Sequence, residues 1–377
     1  MADLLKCLLR VAEKAANVAR VCRQEAPLFQ LLVQEKTGAD KNKKFVQDFK
    51  TLADVIIQEM IRHDVGAQFP EMVGFIHGEE SNKFENGLGE SVVVTVCPSE
   101  ADTASLLSTV LDGDSTAASL LARAIHQDPA SICTDADHLS IPLQPSQLGI
   151  WIDPIDATSQ YIEGKEEELQ QGVLCPSGLH CALVLIGVYL RGSGEPVMGV
   201  INQPFNHKSP DSSGWRGQHF WGVSCDGLAL CSVSPPKPGS GSGSGSDLSV
   251  VLSSSEKPSV KKALSSICHP DKLMYASGAG FKILCVIQGL ADVYVLSEGS
   301  TFKWDSCAPH VLLKALGGGV VDLNKTLESG VNQAELTYHQ PNTGHAGADR
   351  WANSGGLIAY RDRDQLSKLL TVLKGNI

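Results

Sequence analysis

A chain of 377 residues with 42% hydrophobic content can bury a substantial core and exceeds the usual single domain of about 100 to 200 residues. Its net charge of −11 argues against a general nucleic-acid binder, which needs a basic face to neutralise phosphates. Eleven cysteines form an odd set without a CxxC pair, so they fit neither a disulfide framework nor a zinc site and point to a reducing cytosol.

The first 24 residues carry Leu4, Leu5, Leu8, Leu9, Ala12, Ala15, Ala16 and Ala19 at helical spacing. Lys6, Arg10, Glu13 and Lys14 interrupt them, so the segment reads as an amphipathic helix and not as a signal peptide. No run approaches the roughly 18 apolar residues of a membrane span. A second helix is expected from about Lys44 to His63, with Asp54 away from its ends. Met72 to Ile76 reads as a strand delivering Glu79 and Glu80 at its C-terminal edge, where open α/β sheets place functional groups. Two peripheral helices broken at Asp112-Gly113-Asp114 occupy 100 to 127.

A short strand from Leu148 to Ile152 is expected to stop at Asp153-Pro154, because proline cannot donate to a sheet ladder. Ala182 to Leu190 and Pro196 to Ile201 read as a hairpin, extended by a strand at Gly217 to Val223. The alternating Gly/Ser repeat at 239–246 resembles an engineered flexible linker more than a natural motif. Strands then alternate with helices: strand 248–252, helix 259–267, strand 272–276, helix 280–288, strand 291–296, helix 304–316, strand 320–321, strand 357–360 and helix 364–373. That alternation indicates α/β layering. The chain is expected to form one compact unit, 1–377, in two lobes, 1–234 holding most of the acids and 247–377 holding substrate turns and Asp305.

Four acidic clusters stand in order: Asp54, Glu79-Glu80, Asp153-Pro154-Ile155-Asp156-Ala157-Thr158, and Trp304-Asp305. Carboxylates at the ends of apolar runs suit a hard, oxygen-seeking cation such as Mg²⁺. Two aspartates flanking a proline turn, with the Ile155 carbonyl between them, form a ligand string of that kind, and Thr158 is placed to cap a helix. The 11 histidines are scattered without HxH or HExxH, and no GxSxG elbow occurs, so neither zinc nor a nucleophilic serine is favoured.

The ordered set Asp, Glu-Glu, Asp-Pro-Ile-Asp-Ala-Thr, Trp-Asp and Gly-Gly resembles the signature of the lithium-sensitive, Mg²⁺-dependent phosphomonoesterases and spans Asp54 to Gly318. The resemblance implies a layered α-β-α-β-α sandwich of the sugar-phosphatase type. It further implies one cation between Glu79, Asp153 and the Ile155 carbonyl, and a second between Asp153, Asp156 and Asp305. A third, weaker ion falls to Glu79 and Asp54. Thr158, held by Asp54, orients the attacking water, and Glu80 supports the site. Ala157 stands where relatives often have glycine or serine, and only its backbone N–H is needed.

For the substrate, the resemblance points to Asp156, Ala157, Thr158, Ser255, Lys257, Gly278, Ala279, Lys282 and Thr301 lining an inositol ring and its distal phosphate. The expected reaction removes the 1-phosphate of inositol 1,4-bisphosphate and inositol 1,3,4-trisphosphate with two or three Mg²⁺, and Li⁺ inhibits it. The expected protein is a cytoplasmic monomer with no nucleic-acid or membrane partner. The alternatives are a nucleotidase acting on adenosine 3′,5′-bisphosphate and a catalytically silent inositol-phosphate binder. Low aromatic content counts against the first, and the full set of acids against the second.

Overall fold

A computed structural model of the protein describes residues 2–24, 33–38, 41–42, 48–86, 88–130, 139–167, 173–209, 214–234 and 248–376. Its architecture is the expected α-β-α-β-α sandwich. Helices Ala2–Gln24 and Leu52–Gln68 form the first layer. A six-stranded sheet follows, in the order Leu228–Cys231, Trp215–Cys225, Pro196–Lys208, Leu183–Leu190, Leu148–Asp156, Ile76–Gly78. Its strands pair antiparallel except the last two, which run parallel.

Helices Ala279–Gln288 and Lys303–Ala315 make the middle layer. The second sheet has the order Leu273–Tyr275, Val250–Leu252, Val293–Leu296, Leu357–Tyr360, Gly319–Asp322. Pro258–Leu264 and Arg363–Leu373 close the outer face. Among the described residues no helix is long and apolar enough to cross a membrane.

The strand Leu183–Leu190 shows why the layers form. Its alternate side chains Val184, Ile186 and Val188 enter the core under the first helices, while Leu183, Leu185 and Tyr189 enter the core shared with the middle helices. A strand covered on both faces is apolar at nearly every position, which is how this segment reads. Strands Val250–Leu252 and Val293–Leu296 behave likewise in the second sheet, with Val250, Leu252, Val293 and Val295 packed in one core with Leu366, Leu369 and Leu373.

Several boundaries differ from the sequence reading. Residues 43–47 lie outside the described residues, Phe49–Thr51 is a strand, and the helix begins at Leu52, so Asp54 sits in its first turn. Thr51 supplies the reason: its hydroxyl accepts the Asp54 N–H, and Asp54 Oδ2 accepts the Thr51 N–H, a reciprocal cap. Residues Pro70–Phe75 form a 3₁₀ helix, and only Ile76–Gly78 is strand. The strand expected to stop at Ile152 runs to Asp156. It passes Pro154 because the pairing to Leu183–Leu190 shifts register between Asp153 and Asp156, so no ladder donor is needed there. The Gly/Ser repeat at 239–246 lies outside the described residues.

Helix Lys303–Ala315 lies directly on the six-stranded sheet because two glycines remove the side chains between them. A Cβ on Gly199 would stand 2.4 Å from the Ala308 carbonyl oxygen, and one on Gly187 would stand 2.5 Å from the Ala308 nitrogen. Gly199→Ala is therefore expected to cost about 1–3 kcal/mol of stability by overpacking. Gly192→Ala, where nothing lies within 4 Å, should leave the thermal midpoint nearly unchanged, and calorimetric melting of both variants checks the contrast.

Candidate metal and phosphate site

The acids converge because four separate elements end at one place. Strands Ile76–Gly78 and Leu148–Asp156 run parallel, and the Glu79 N–H donates to the Ile152 carbonyl (3.1 Å), so Glu79 leaves the sheet beside Asp153. The register shift falls between Asp153 and Asp156 at the C-terminal end of the strand, and Asp153, Ile155 and Asp156 are all buried. Ala157 then turns the chain at φ 65° into helix Thr158–Glu163. That left-handed backbone favours glycine, which accounts for the glycine expected at this position. Thr158 is thus the first helical residue, and Ala157 is the cap.

Helix Lys303–Ala315 brings Asp305 from the other half of the chain. One oxygen each of Asp153, Asp156 and Asp305 can be chosen so that all lie within 4.8 Å of one another. They border a cavity of about 330 Å³, with Glu79, Ile155, Ala157 and Thr158 beside them. Ser255, Gly278, Ala279, Lys282 and Thr301 line the same cavity.

Other expected residues lie elsewhere. Lys257 is exposed and outside the lining, at the start of helix Pro258–Leu264. Asp54 and Glu80 are buried behind the cavity wall, not in it. Thr158 Oγ1 donates to the Ile155 carbonyl (3.0 Å), whereas Asp54 Oδ2 accepts the N–H and hydroxyl of Thr51 (2.6 Å each), so the expected Thr158–Asp54 contact is replaced by Thr51–Asp54. The turn at Gly278 also has a different use. Its following amides point at Asp156, with Ala279 N–H on Oδ1 and Phe281 N–H on Oδ2, both 3.3 Å. A Cβ at Gly278 or Gly280 would approach Asp156 Oδ2 to 3.0 or 2.9 Å, so the glycines make room for that carboxylate. Lys282 Nζ donates to the carbonyls of Ala276 and Gly278 and braces the same turn.

The electrostatics follow from enclosure. Burial raises the Asp153 carboxyl well above the ordinary range, and the charges of Glu79, Asp156, Asp305 and Asp54 raise it further. Burial, with Asp156 and Glu79, does the same to Asp305. Asp156 is pushed up by burial to about 6 against the pull of Lys282, and Asp54 to about 7 against its bonds from Thr51. Glu80 is raised by burial to about 8, with Lys36 opposing. Lys36, which the sequence reading did not single out, places its ammonium 2.5 Å from both Glu79 Oε1 and Glu80 Oε1.

Among the described residues, Asp153 Oδ1 is buried with no hydrogen-bond donor. A buried acceptor without a donor, among carboxyls that raise one another, has the donor chemistry of a divalent cation's shell. The residues therefore fit Mg²⁺. One of the missed supports, Thr51, had a readable signal: Thr51-x-x-Asp54 is a capping pattern. Lys36 and Gln58, whose side-chain amide holds the Glu80 backbone from both sides, had none, because their partners are distant in sequence.

A carboxylate-lined cavity at the strand ends of a five-layered α/β sandwich defines the class of metal-dependent phosphomonoesterases. The model of the inositol monophosphatase family matches residues 4–366, and the chain belongs to that family. Inositol polyphosphate 1-phosphatase from Homo sapiens is 47% identical over 393 residues, covering 100% of this chain and 98% of the relative. The Bos taurus enzyme of that name is 47% identical over 99% of this chain and 97% of its own. The human 3′(2′),5′-bisphosphate nucleotidase 1 is 26% identical over 93% of this chain and 87% of its own. The solved extragenic suppressor protein suhB from Bartonella henselae superposes with a TM-score of 0.53 at 15% identity, covering 100% of both chains, which supports the fold.

The raised carboxyls predict a pH signature. They bind protons more tightly folded than unfolded, so their contribution is complete below the ordinary carboxylate value of about 4 and is lost as pH rises through their folded values. Without divalent cation, the thermal midpoint should fall between about pH 5 and 8, through the folded values near 6 and 7 of Asp156 and Asp54. Saturating Mg²⁺ should restore it most at the alkaline end. A cation-free midpoint that stays level or rises over that window would contradict this account.

Proposed function

We propose that the protein is a Mg²⁺-dependent, Li⁺-inhibited inositol polyphosphate 1-phosphatase of the cytosol, acting on inositol 1,4-bisphosphate and inositol 1,3,4-trisphosphate. The observation that carries the reading is the meeting of Asp153, Asp156 and Asp305 in one cavity that Ser255, Thr301 and the Gly278 turn also line. The full-length identity of 46–47% to relatives bearing that name, against 26% to the human bisphosphate nucleotidase, supports the inositol substrate over the nucleotide.

Asp153, Asp156 and Asp305 would hold one cation, and Glu79, Asp153 and the Ile155 carbonyl another. When bound, the cations supply charge neutralisation and Lewis acidity, lowering the pKa of water to about 7. The chain's own groups do the rest. Thr158 Oγ1 donates a hydrogen bond to the Ile155 carbonyl, which leaves its lone pairs free to accept a hydrogen bond from an attacking water and aim it. The first amides of helix Thr158–Glu163, unpaired as at any helix start, face the phosphate. Asp54, fixed by Thr51, sets the charge behind Asp153. Ser255 and Thr301 would present hydroxyls to the ring and distal phosphate, while Lys282, in the same lining, braces the Gly278 turn. A cavity of about 330 Å³ suits a small polar substrate.

Phosphate release from inositol 1,4-bisphosphate and adenosine 3′,5′-bisphosphate, with Mg²⁺ present or absent and Li⁺ titrated, tests the reading. Preference for the inositol substrate, abolished without Mg²⁺ and inhibited by Li⁺, is expected. Preference for the nucleotide would move the reading to the alternative, and turnover of neither would sink both. Asp153→Asn should lower kcat by about 10²–10³-fold, as loss of a group that organises transition-state charge does, with little change in fold by circular dichroism. Asp54→Ala should also cut turnover by orders of magnitude, and near-normal turnover would remove Asp54 from the machinery.

A further inference from the structure

The turn that delivers Asp305 is held by a residue far along the chain. Asn353 is buried, and its backbone N–H donates to the Thr301 carbonyl (2.8 Å). Its side-chain amide lies 3.2 Å from Thr301 Oγ1, 3.0 Å from the Phe302 carbonyl and 3.2 Å from Ser306 Oγ. Phe302 in turn gives its backbone N–H to Asp305 Oδ2 at 2.5 Å. Asn353 therefore acts on two of the residues this turn contributes to the cavity, Thr301 directly and Asp305 through Phe302.

The arrangement is built, not incidental. Phe302 and Ala352 form an antiparallel bridge, so the two segments are in register. Gly356, at φ 71°, closes the turn after Asn353 by donating its N–H to the Asn353 carbonyl, and a Cβ there would stand 2.3 Å from the Leu296 carbonyl oxygen. Behind Asn353, Ser306 Oγ accepts from the buried Tyr338 hydroxyl (3.4 Å), and the Tyr338 carbonyl accepts the Trp151 indole N–H (2.9 Å). Trp151 lies on the strand that carries Asp153. One set of bonds thus ties the strand of Asp153 to the helix of Asp305.

We propose that Asn353 is a positioning residue for the phosphatase reaction, holding the Thr301–Phe302 turn so that Asp305 faces the cation and the Thr301 hydroxyl proton is turned into the cavity. An amide donor on Thr301 Oγ1 occupies the oxygen as acceptor, so the hydroxyl proton is available for a substrate oxygen. The proposal rests on the reading of this cavity as a phosphatase site.

Asn353→Leu tests it, keeping the shape and removing both donors. Ser306 Oγ still donates to the Phe302 carbonyl (3.2 Å), so that acceptor is not orphaned. Calorimetric titration with Ca²⁺ and initial rates against Mg²⁺ at saturating inositol 1,4-bisphosphate are the readouts. Removing a group that orients metal ligands typically costs about 10–100-fold in cation affinity or activity, and that loss is expected here in Ca²⁺ affinity and in kcat. A merely structural residue would lower the melting temperature and leave the affinity and the kcat of folded protein at wild-type values, and that result overturns the proposal. If the leucine variant does not fold, Asn353→Gln decides, since it keeps the donors on a longer arm: the same loss supports the proposal and wild-type affinity overturns it. An inactive wild type would sink the phosphatase reading instead, and the Ca²⁺ titration would still decide the role of Asn353 in placing Asp305.

Discussion

Crowding of carboxylates in an enclosed space is the constraint on which the rest of the site depends. Two unit charges about 4.8 Å apart repel by about 3.5 kcal/mol at an effective dielectric of 20, and Asp153 faces several such neighbours. The chain offsets part of this with its own positive ends. Asp54 and Asp305 sit in the first turns of their helices, and Asp156 accepts two amides from the start of helix Ala279–Gln288. Helix N-termini favour negative charge, so three of them converge where the acids do. Lys36 balances Glu79 and Glu80 from the far side. Asp153 is left with an unpaired oxygen and no such help. A divalent cation answers that deficit.

The layered fold makes this crowding sustainable. Covering both sheets on both faces packs three apolar cores between the layers and leaves the strand ends and helix starts to meet at the site. Close approach at Gly187 and Gly199 lets the Asp305 helix lie on the sheet that carries Asp153 and Asp156. Catalytic groups set on rigid elements, and backed by polar contacts, hold their geometry better than groups on free loops.

Much of this was legible in the sequence where one local rule dominates. The strands and helices expected after residue 248 are present because apolar runs there are short and bounded by Gly, Pro or Ser, while the short helix Leu323–Ser329, with only Leu323 and Thr326 buried, carries too little apolar pattern to be read. Reading failed where long-range pairing overrode a local rule. Pro154 was taken to end a strand, yet the shifted pairing with Leu183–Leu190 lets the strand continue and buries both aspartates. Asp54 was read as mid-helix because the apolar pattern extends upstream of its cap. Gly278 lines the cavity as expected, and its lack of a side chain also makes room for Asp156, a long-range contact that no local pattern shows. The acids themselves were legible as a set, but Lys36, Gln58 and Asn353 act on residues 22 to 52 positions away, which no local pattern encodes.

The central claim is that Asp153, Asp156 and Asp305 form a cation site. Anomalous diffraction from a crystal soaked in Mn²⁺, collected at the manganese edge, tests it most directly. The account predicts an anomalous peak within bonding distance of all three carboxylates. A well-ordered crystal at saturating Mn²⁺ with no peak there, or with a peak only at surface acids, would contradict it.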